Sequence, residues 1–174
     1  MDEAGQLLIA GPAACDRYLG ELPQRWVPTG DYASVERHGD AERLILGGRC
    51  KDMILRSAEN IYPGLYEPAL HVPGVSLAVL VGVPAGDGDE QVAAVVELAA
   101  GADRGLVRAA LQQPFDRMGS ARPDLLMFAS VPLSGRSRKP DRQAASRLVA
   151  TAPAQSTEAV GGPTPAARDR GRQP

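Results

Sequence analysis

Side chains able to do chemistry gather in three places along the chain. The first is Gly47-Gly48-Arg49-Cys50-Lys51-Asp52, followed by the apolar run Met53-Ile54-Leu55 and a polar turn closed by Asn60-Ile61-Tyr62-Pro63. Two glycines before Arg49 permit backbone angles that a side chain forbids, which suits a segment that must bend. Arg49 and Lys51 alternate, so an extended backbone points them to opposite faces. One residue, Lys51 or Asp52, can then carry most of a change in backbone angles. The second place is Thr29-Gly30-Asp31, whose carboxylate can accept hydrogen bonds. By ordinary turn chemistry the same tripeptide is more often a turn capped by its aspartate. The third is Gly135-Arg136-Ser137-Arg138-Lys139-Pro140-Asp141-Arg142, which by composition reads as a solvated charge cluster or, more weakly, as a phosphate or RNA contact through Arg136, Arg138, Lys139 and Arg142.

Local signals show what must hold these groups. Gln6–Ala10 reads as a strand ended by Gly11-Pro12, and Ala33–Arg37 with Glu42–Leu46 flank a turn as a β-hairpin, with His38 solvated at the turn. Pro63 suits the first position of a helix, which Pro68 tempers, and His71 ends that short helix as another solvated histidine. Val75–Val83 is apolar enough for a buried strand, Gly86–Glu90 reads as a solvated acidic loop without calcium-ligand spacing, and Gln91–Ala99 as the next strand. Asp103 caps a helix whose face is expected to hold Leu106, Val107, Ala110 and Leu111, and Leu125–Ala129 reads as a strand. Strand, strand, helix, strand makes an α+β unit. From Ala150 to Pro174 large apolar side chains are nearly absent, which predicts a disordered tail.

Composition narrows the class. With 19 basic and 21 acidic residues, the balance argues against a nucleic-acid or anionic-membrane surface over the whole molecule. Cys15 and Cys50 suit reduced thiols better than a disulfide framework. The N-terminus lacks the basic and apolar regions of a signal peptide, and no apolar run is long enough to cross a bilayer, so the expectation is a cytoplasmic protein.

The Gly48–Glu67 segment resembles the hinge motif of the adenylate-forming superfamily, which includes acyl-CoA synthetases, luciferases and the adenylation domains of peptide synthetases. That motif runs from Gly-Arg through a charged pair, a hydrophobic pair and a glycine-rich turn to Asn-Ile-x-Pro and a glutamate four residues on. Every part is present except the glycine-rich turn, where Ser57-Ala58 stands. Thr29-Gly30-Asp31 is similar to the preceding signature. Lys139-Pro140-Asp141-Arg142 is similar to the closing Gly-Lys-x-Asp-Arg, with Arg138 at the glycine position and a loop one residue longer. The family's phosphate loop and its Tyr-Gly-x-Thr-Glu segment have no counterpart, so the resemblance covers Ala4 to about Leu148 and only the family's C-terminal third or less.

The resemblance implies an α+β fold in which residues 1–47 end the large domain's β-barrel subdomain and residues 48–149 form a small mixed-sheet lid domain. It implies Lys139 as the mobile catalytic lysine, Lys51 and Asp52 as the hinge, and Asp31 and Arg49 as ATP or AMP ligands. Arg56, Ser57, Ala58, Glu59 and Asn60 become the loop presented to coenzyme A, narrowed by the side chains of Ser57 and Ala58. No metal ligand is assigned to this chain. ATP, Mg²⁺ and coenzyme A would serve the complete enzyme, and none would be held tightly here. The expected partners are an N-terminal adenylation domain, in cis or in trans, and a small carboxylic acid. Alone, the chain is expected to be inactive, as part of an AMP-forming acyl-CoA synthetase, a trans-acting lid module, or a remnant.

Overall fold

The computed structural model describes residues 1–161 apart from Glu3, Ala4, Asp16, Tyr18 and Asp40. Its order begins with β1 (Gln6–Ile9), β2 (Val27–His38) and β3 (Ala41–Arg49), then a 3₁₀ turn over Cys50–Asp52. The hairpin of β4 (Ile54–Arg56) and β5 (Glu59–Ile61) follows, then 3₁₀ turns at Pro63–Leu65 and Glu67–Leu70. The rest comprises β6 (Val75–Gly86), β7 (Asp89–Leu98), α1 (Arg104–Asp116), β8 (Leu125–Phe128), β9 (Leu133–Ser134), β10 (Lys139–Pro140), α2 (Arg142–Thr151) and β11 (Glu158–Ala159).

The core belongs to a four-stranded sheet ordered β11-β8-β7-β6. β6 and β7 are antiparallel, β7 and β8 parallel, β8 and β11 antiparallel, so the sheet is mixed. A parallel β7–β8 pair needs a long crossover, which α1 supplies. The apolar runs in β6 and β7 are continuous because both faces are covered. Ala78, Leu80, Val92, Ala94, Val96 and Leu126 face α1 with Ile54, Ile61, Leu70, Val107, Leu111 and Phe115. Their neighbours Val79, Val81, Val83, Ala93, Val95 and Met127 face α2 with Ala145 and Val149. The alternation is the two-residue period of a pleated strand. The α+β class with a mixed sheet is thus as expected.

Three local expectations need correction. Leu106 and Ala110 point to solvent, and α1 buries Val107, Leu111 and Phe115 instead. These lie four residues apart, a narrow stripe, because one helix turn after another meets a flat sheet face. The acidic loop shrinks to Asp87-Gly88, both at positive φ, as a two-residue hairpin turn in which Gly86 pairs with Asp89. The structureless tail is overturned for residues 150–161. There α2 runs to Thr151, and β11 joins β8 while Glu158 takes ion pairs from Arg104 and Arg108, each at 2.5 Å. One edge strand held by two cations needs few apolar residues, so composition missed it. Residues 162–174 lie outside the described residues.

The N-terminal sheet, ordered β1-β2-β3, is different in kind. Among the described residues up to Asp52 none is buried. The expected hairpin is present and longer, with His38 opposite Ala41 and Asp31 opposite Arg49. Val35 pairs with Leu44 and Ala33 with Leu46, which puts these apolar side chains on one face. Val35, Leu44 and Leu46 are 46%, 51% and 56% exposed.

Candidate functional site

Asp31 and Arg49 are opposite one another across β2 and β3, and Arg49 Nε lies 2.9 Å from Asp31 Oδ1. Arg49 Nη1 also donates to Thr29 O at 3.3 Å. The Thr29 hydroxyl donates to Leu7 O and accepts from the Asp31 N–H. Thr29-Gly30-Asp31 is therefore strand, with Gly30 at φ 78, and not a capped turn. Only one Asp31 oxygen is taken by Arg49, and the side chain keeps 28% of its exposure, so the carboxylate can still accept from a ligand.

Gly48 sits at φ 132, a value open to glycine, and Cys50–Asp52 make one 3₁₀ turn. Lys51 is exposed, and its side chain has no hydrogen-bond or ion-pair partner among the described residues. Gly47 passes Tyr32 and Tyr62, whose ring centroids are 5.0 Å apart, so the N-terminal sheet touches the second unit through these two rings. Partial burial, with Tyr32 adding to it, raises the Tyr62 phenol above its ordinary range.

Ser57 and Ala58 stand at φ 50 and 63 between the paired residues Arg56 and Glu59. Two positive φ values in a two-residue loop make a type I′ turn, the geometry for which glycine is preferred. The turn is pinned from below, because the Ser57 N–H donates to Asp89 Oδ1 at 2.6 Å and the Leu55 N–H to Glu90 Oε2 at 2.8 Å. Ser57, Ala58, Glu59 and Asn60 are exposed. Arg56 is not with them. Its guanidinium turns inward to Ser120 O, Arg122 O and Asp124 Oδ1, at 2.9, 2.7 and 2.6 Å, and ties the hairpin to the segment before β8.

Lys139 opens β10 and pairs with Ser134 on β9, an exposed hairpin whose turn carries Arg138 at φ 49. The Asp141 N–H bonds Pro132 O at 2.8 Å and closes the hairpin's base, while Asp141 Oδ1 caps α2 through the Ala144 N–H. No hydrogen bond or ion pair joins Lys139 to Asp31 or Arg49 in this arrangement.

Arg142 is the residue whose place the sequence did not show. Both its Nη atoms meet the Glu67 carboxylate, with Nη2–Oε2 at 2.8 Å, and Nε lies 3.2 Å from Asp52 Oδ2. Nη1 also donates to Leu80 O at 3.2 Å, while Glu67 accepts the Leu80 N–H at 2.8 Å. Burial opposes the charge on Arg142, but hydrogen bonds and attraction from Glu67 and Asp52 outweigh it and raise its pKa. It is therefore no free cation for phosphate or RNA. A two-carboxylate site would have been visible only by pairing the glutamate after Pro63 with the arginine after Asp141. Among the described residues no three His, Cys, Asp or Glu side chains gather as metal ligands, and no helix is long and apolar enough to cross a membrane.

No protein-family model matches the chain. It is 39% identical over 107 residues to the mitochondrial medium-chain acyl-CoA ligase ACSF2 of Rattus norvegicus, a match of 56% of this chain and 17% of that protein. Among solved structures it is similar to the amide bond synthetase McbA of Marinactinospora thermotolerans, with 33% identity, a TM-score of 0.57, and coverage of 72% of this chain and 26% of McbA. The o-succinylbenzoate CoA synthetase of Bacillus subtilis, solved with an acyl-adenylate, shares the fold at TM-score 0.64 and 20% identity, over 79% of this chain and 29% of that one. The chain thus spans less than a third of the length of each.

Proposed function

We propose that the chain belongs to the adenylate-forming superfamily and is the mobile lid of an AMP-forming acid–thiol ligase together with the last strands of its large domain. The observation that carries this is an exposed lysine hairpin on a compact body, joined through a glycine-flanked pivot to a sheet that presents Asp31. Kinship with acyl-CoA ligases supports the same reading.

In such a ligase the carboxylate oxygen of the acid attacks the α-phosphorus of ATP. The bond to the bridging oxygen breaks and pyrophosphate leaves. Two anions approach each other in that step, so a positioned ammonium lowers its barrier. Lys139 supplies the ammonium, Asp31 accepts from the ribose hydroxyls, and Arg49 lies alongside them. No step through a metal is assigned to this chain. In the second half-reaction the thiol sulfur attacks the acyl carbon, the bond to AMP breaks, and AMP leaves. A rotation at Lys51 would withdraw Lys139 and bring the Ser57–Asn60 turn to the thiol, one lid serving two steps.

A partner adenylation domain completes the site. The uncovered face of Val35, Leu44 and Leu46 also favours a second reading, in which that domain is a separate chain and the lid docks in trans. The test is ATP–pyrophosphate exchange by an adenylation domain carrying this chain, either fused or mixed. Activity only in the fusion supports the cis arrangement, and activity on mixing supports the trans one. Lys139→Ala is expected to lower exchange roughly 10²- to 10³-fold, the loss typical of one electrostatic donor. Equal exchange by both forms removes Lys139 from the mechanism.

A further inference from the structure

The segment between the two units is tied at both ends. On one side Arg49 is held by Asp31 and Thr29 O, and Gln6 Nε2 reaches Cys50 Sγ at 3.5 Å. On the other side Asp52 is held by Arg142. Lys51 alone lies between the two sets of ties with its side chain free. Arg142 is also the first residue of α2, three positions after Lys139, and its other contacts reach Glu67 and the β6 backbone at Leu80.

The geometry points to Arg142 as a positioning residue. It fastens Asp52 to the base of the Lys139 hairpin, so that Asp52 travels with the lid and the bend is confined to Lys51. An arginine suits this task because its planar fork can meet two carboxylates and a carbonyl at once, whereas a lysine offers a point charge. The consequence is mechanical. With Asp52 locked to α2, rotation at Lys51 moves β6, the 3₁₀ turn that carries Glu67, and the lysine hairpin as one body. Without the lock, slack at Asp52 and Met53 would let Lys139 miss a position that catalysis must hold closely. This inference rests on the lid reading above, but the clamp itself can be tested apart from it.

The experiment is hydrogen exchange by mass spectrometry on the full 174-residue chain. Arg142→Gln is expected to speed exchange about tenfold both at residues 50–53 and at residues 133–141, while β7 stays protected. Arg142→Lys should recover part of that protection. Asp52→Asn should speed exchange at residues 50–53 only, because Arg142 keeps Glu67. Unchanged exchange at residues 50–53 in Arg142→Gln, with β7 protected, overturns the proposal. If Arg142→Gln unfolds the lid, Asp52→Asn decides: unchanged exchange at residues 50–53 overturns the clamp, and faster exchange there supports it. In a fused enzyme Arg142→Gln should lower kcat for adenylation with little change in KM for ATP. A fusion without adenylation but with the expected exchange pattern refutes the lid reading and leaves the clamp standing.

Discussion

At the scale of single residues the β4–β5 turn stores backbone strain. Ser57 and Ala58 both hold left-handed backbone angles. Such angles cost an L-residue about 1–2 kcal/mol, and glycine gives back roughly 0.5–1 kcal/mol of that through its freer unfolded chain. Ala58→Gly is therefore expected to stabilise the C-terminal unit by about 0.5–1 kcal/mol, read as a melting temperature about 2–4 °C higher. A lower melting temperature would mean that the Ala58 methyl makes a compensating contact. The turn persists without glycine because Asp89 and Glu90 hold its backbone donors from the neighbouring hairpin. Arg56 shows the same economy, since its position in the motif suggested a ligand loop and its inward hydrogen bonds make it a strut.

Elements are legible in proportion to how locally they are determined. The strands β6 and β7, the Asp103 cap and the β2–β3 hairpin follow from short patterns of burial, capping and turn residues. β11 does not, because two residues carry no periodicity and its support comes from Arg104 and Arg108 on a distant helix. These cations lower the Glu158 pKa, chiefly through the hydrogen bond from Arg104. A carboxylate with a depressed folded pKa contributes stability above its unfolded value, and loses it as pH falls through the folded one. Acidification from just below the ordinary glutamate range should therefore release β11 before the rest of the sheet. Glu158→Gln should do the same at neutral pH, with faster amide exchange at residues 158–160 and an unchanged β6–β7 core. Because the pair is partly exposed, the effect should shrink in high salt. Equal exchange in both forms would assign β11 to backbone pairing alone.

For the molecule as a whole, the contrast between its two parts decides the expectation. The C-terminal unit encloses a core on both faces of its sheet, whereas the N-terminal sheet buries none of its described residues. A small sheet with an open apolar face is marginal alone. Full burial of a Val or Leu side chain is worth about 1.5–3 kcal/mol, so Val35, Leu44 and Leu46 hold several kcal/mol for whatever covers them. Replacing all three by threonine should reduce self-association of the isolated chain in sedimentation without lowering the melting temperature of the C-terminal unit. In a complete ligase the same change should weaken docking of the first sheet. Unaltered sedimentation would show that the face is tolerated in water.

The sequence by itself determined the glycines at 47 and 48, the strands and helix cap of the C-terminal unit, and a resemblance that groups Asp31, Lys51 and Lys139. These are set by backbone permission, burial period and residue type within a few positions of one another. Tertiary structure alone decided which side of the bend each charge serves. Asp52, Glu67 and Arg142 lie far apart in the chain and meet only when α2 packs on β6. Their identities are those of ordinary surface charges, and a contact made across the fold leaves no local periodicity to read. The same holds for the helix face of α1 and for β11, whose partners are chosen by the sheet's geometry and not by the residues beside them.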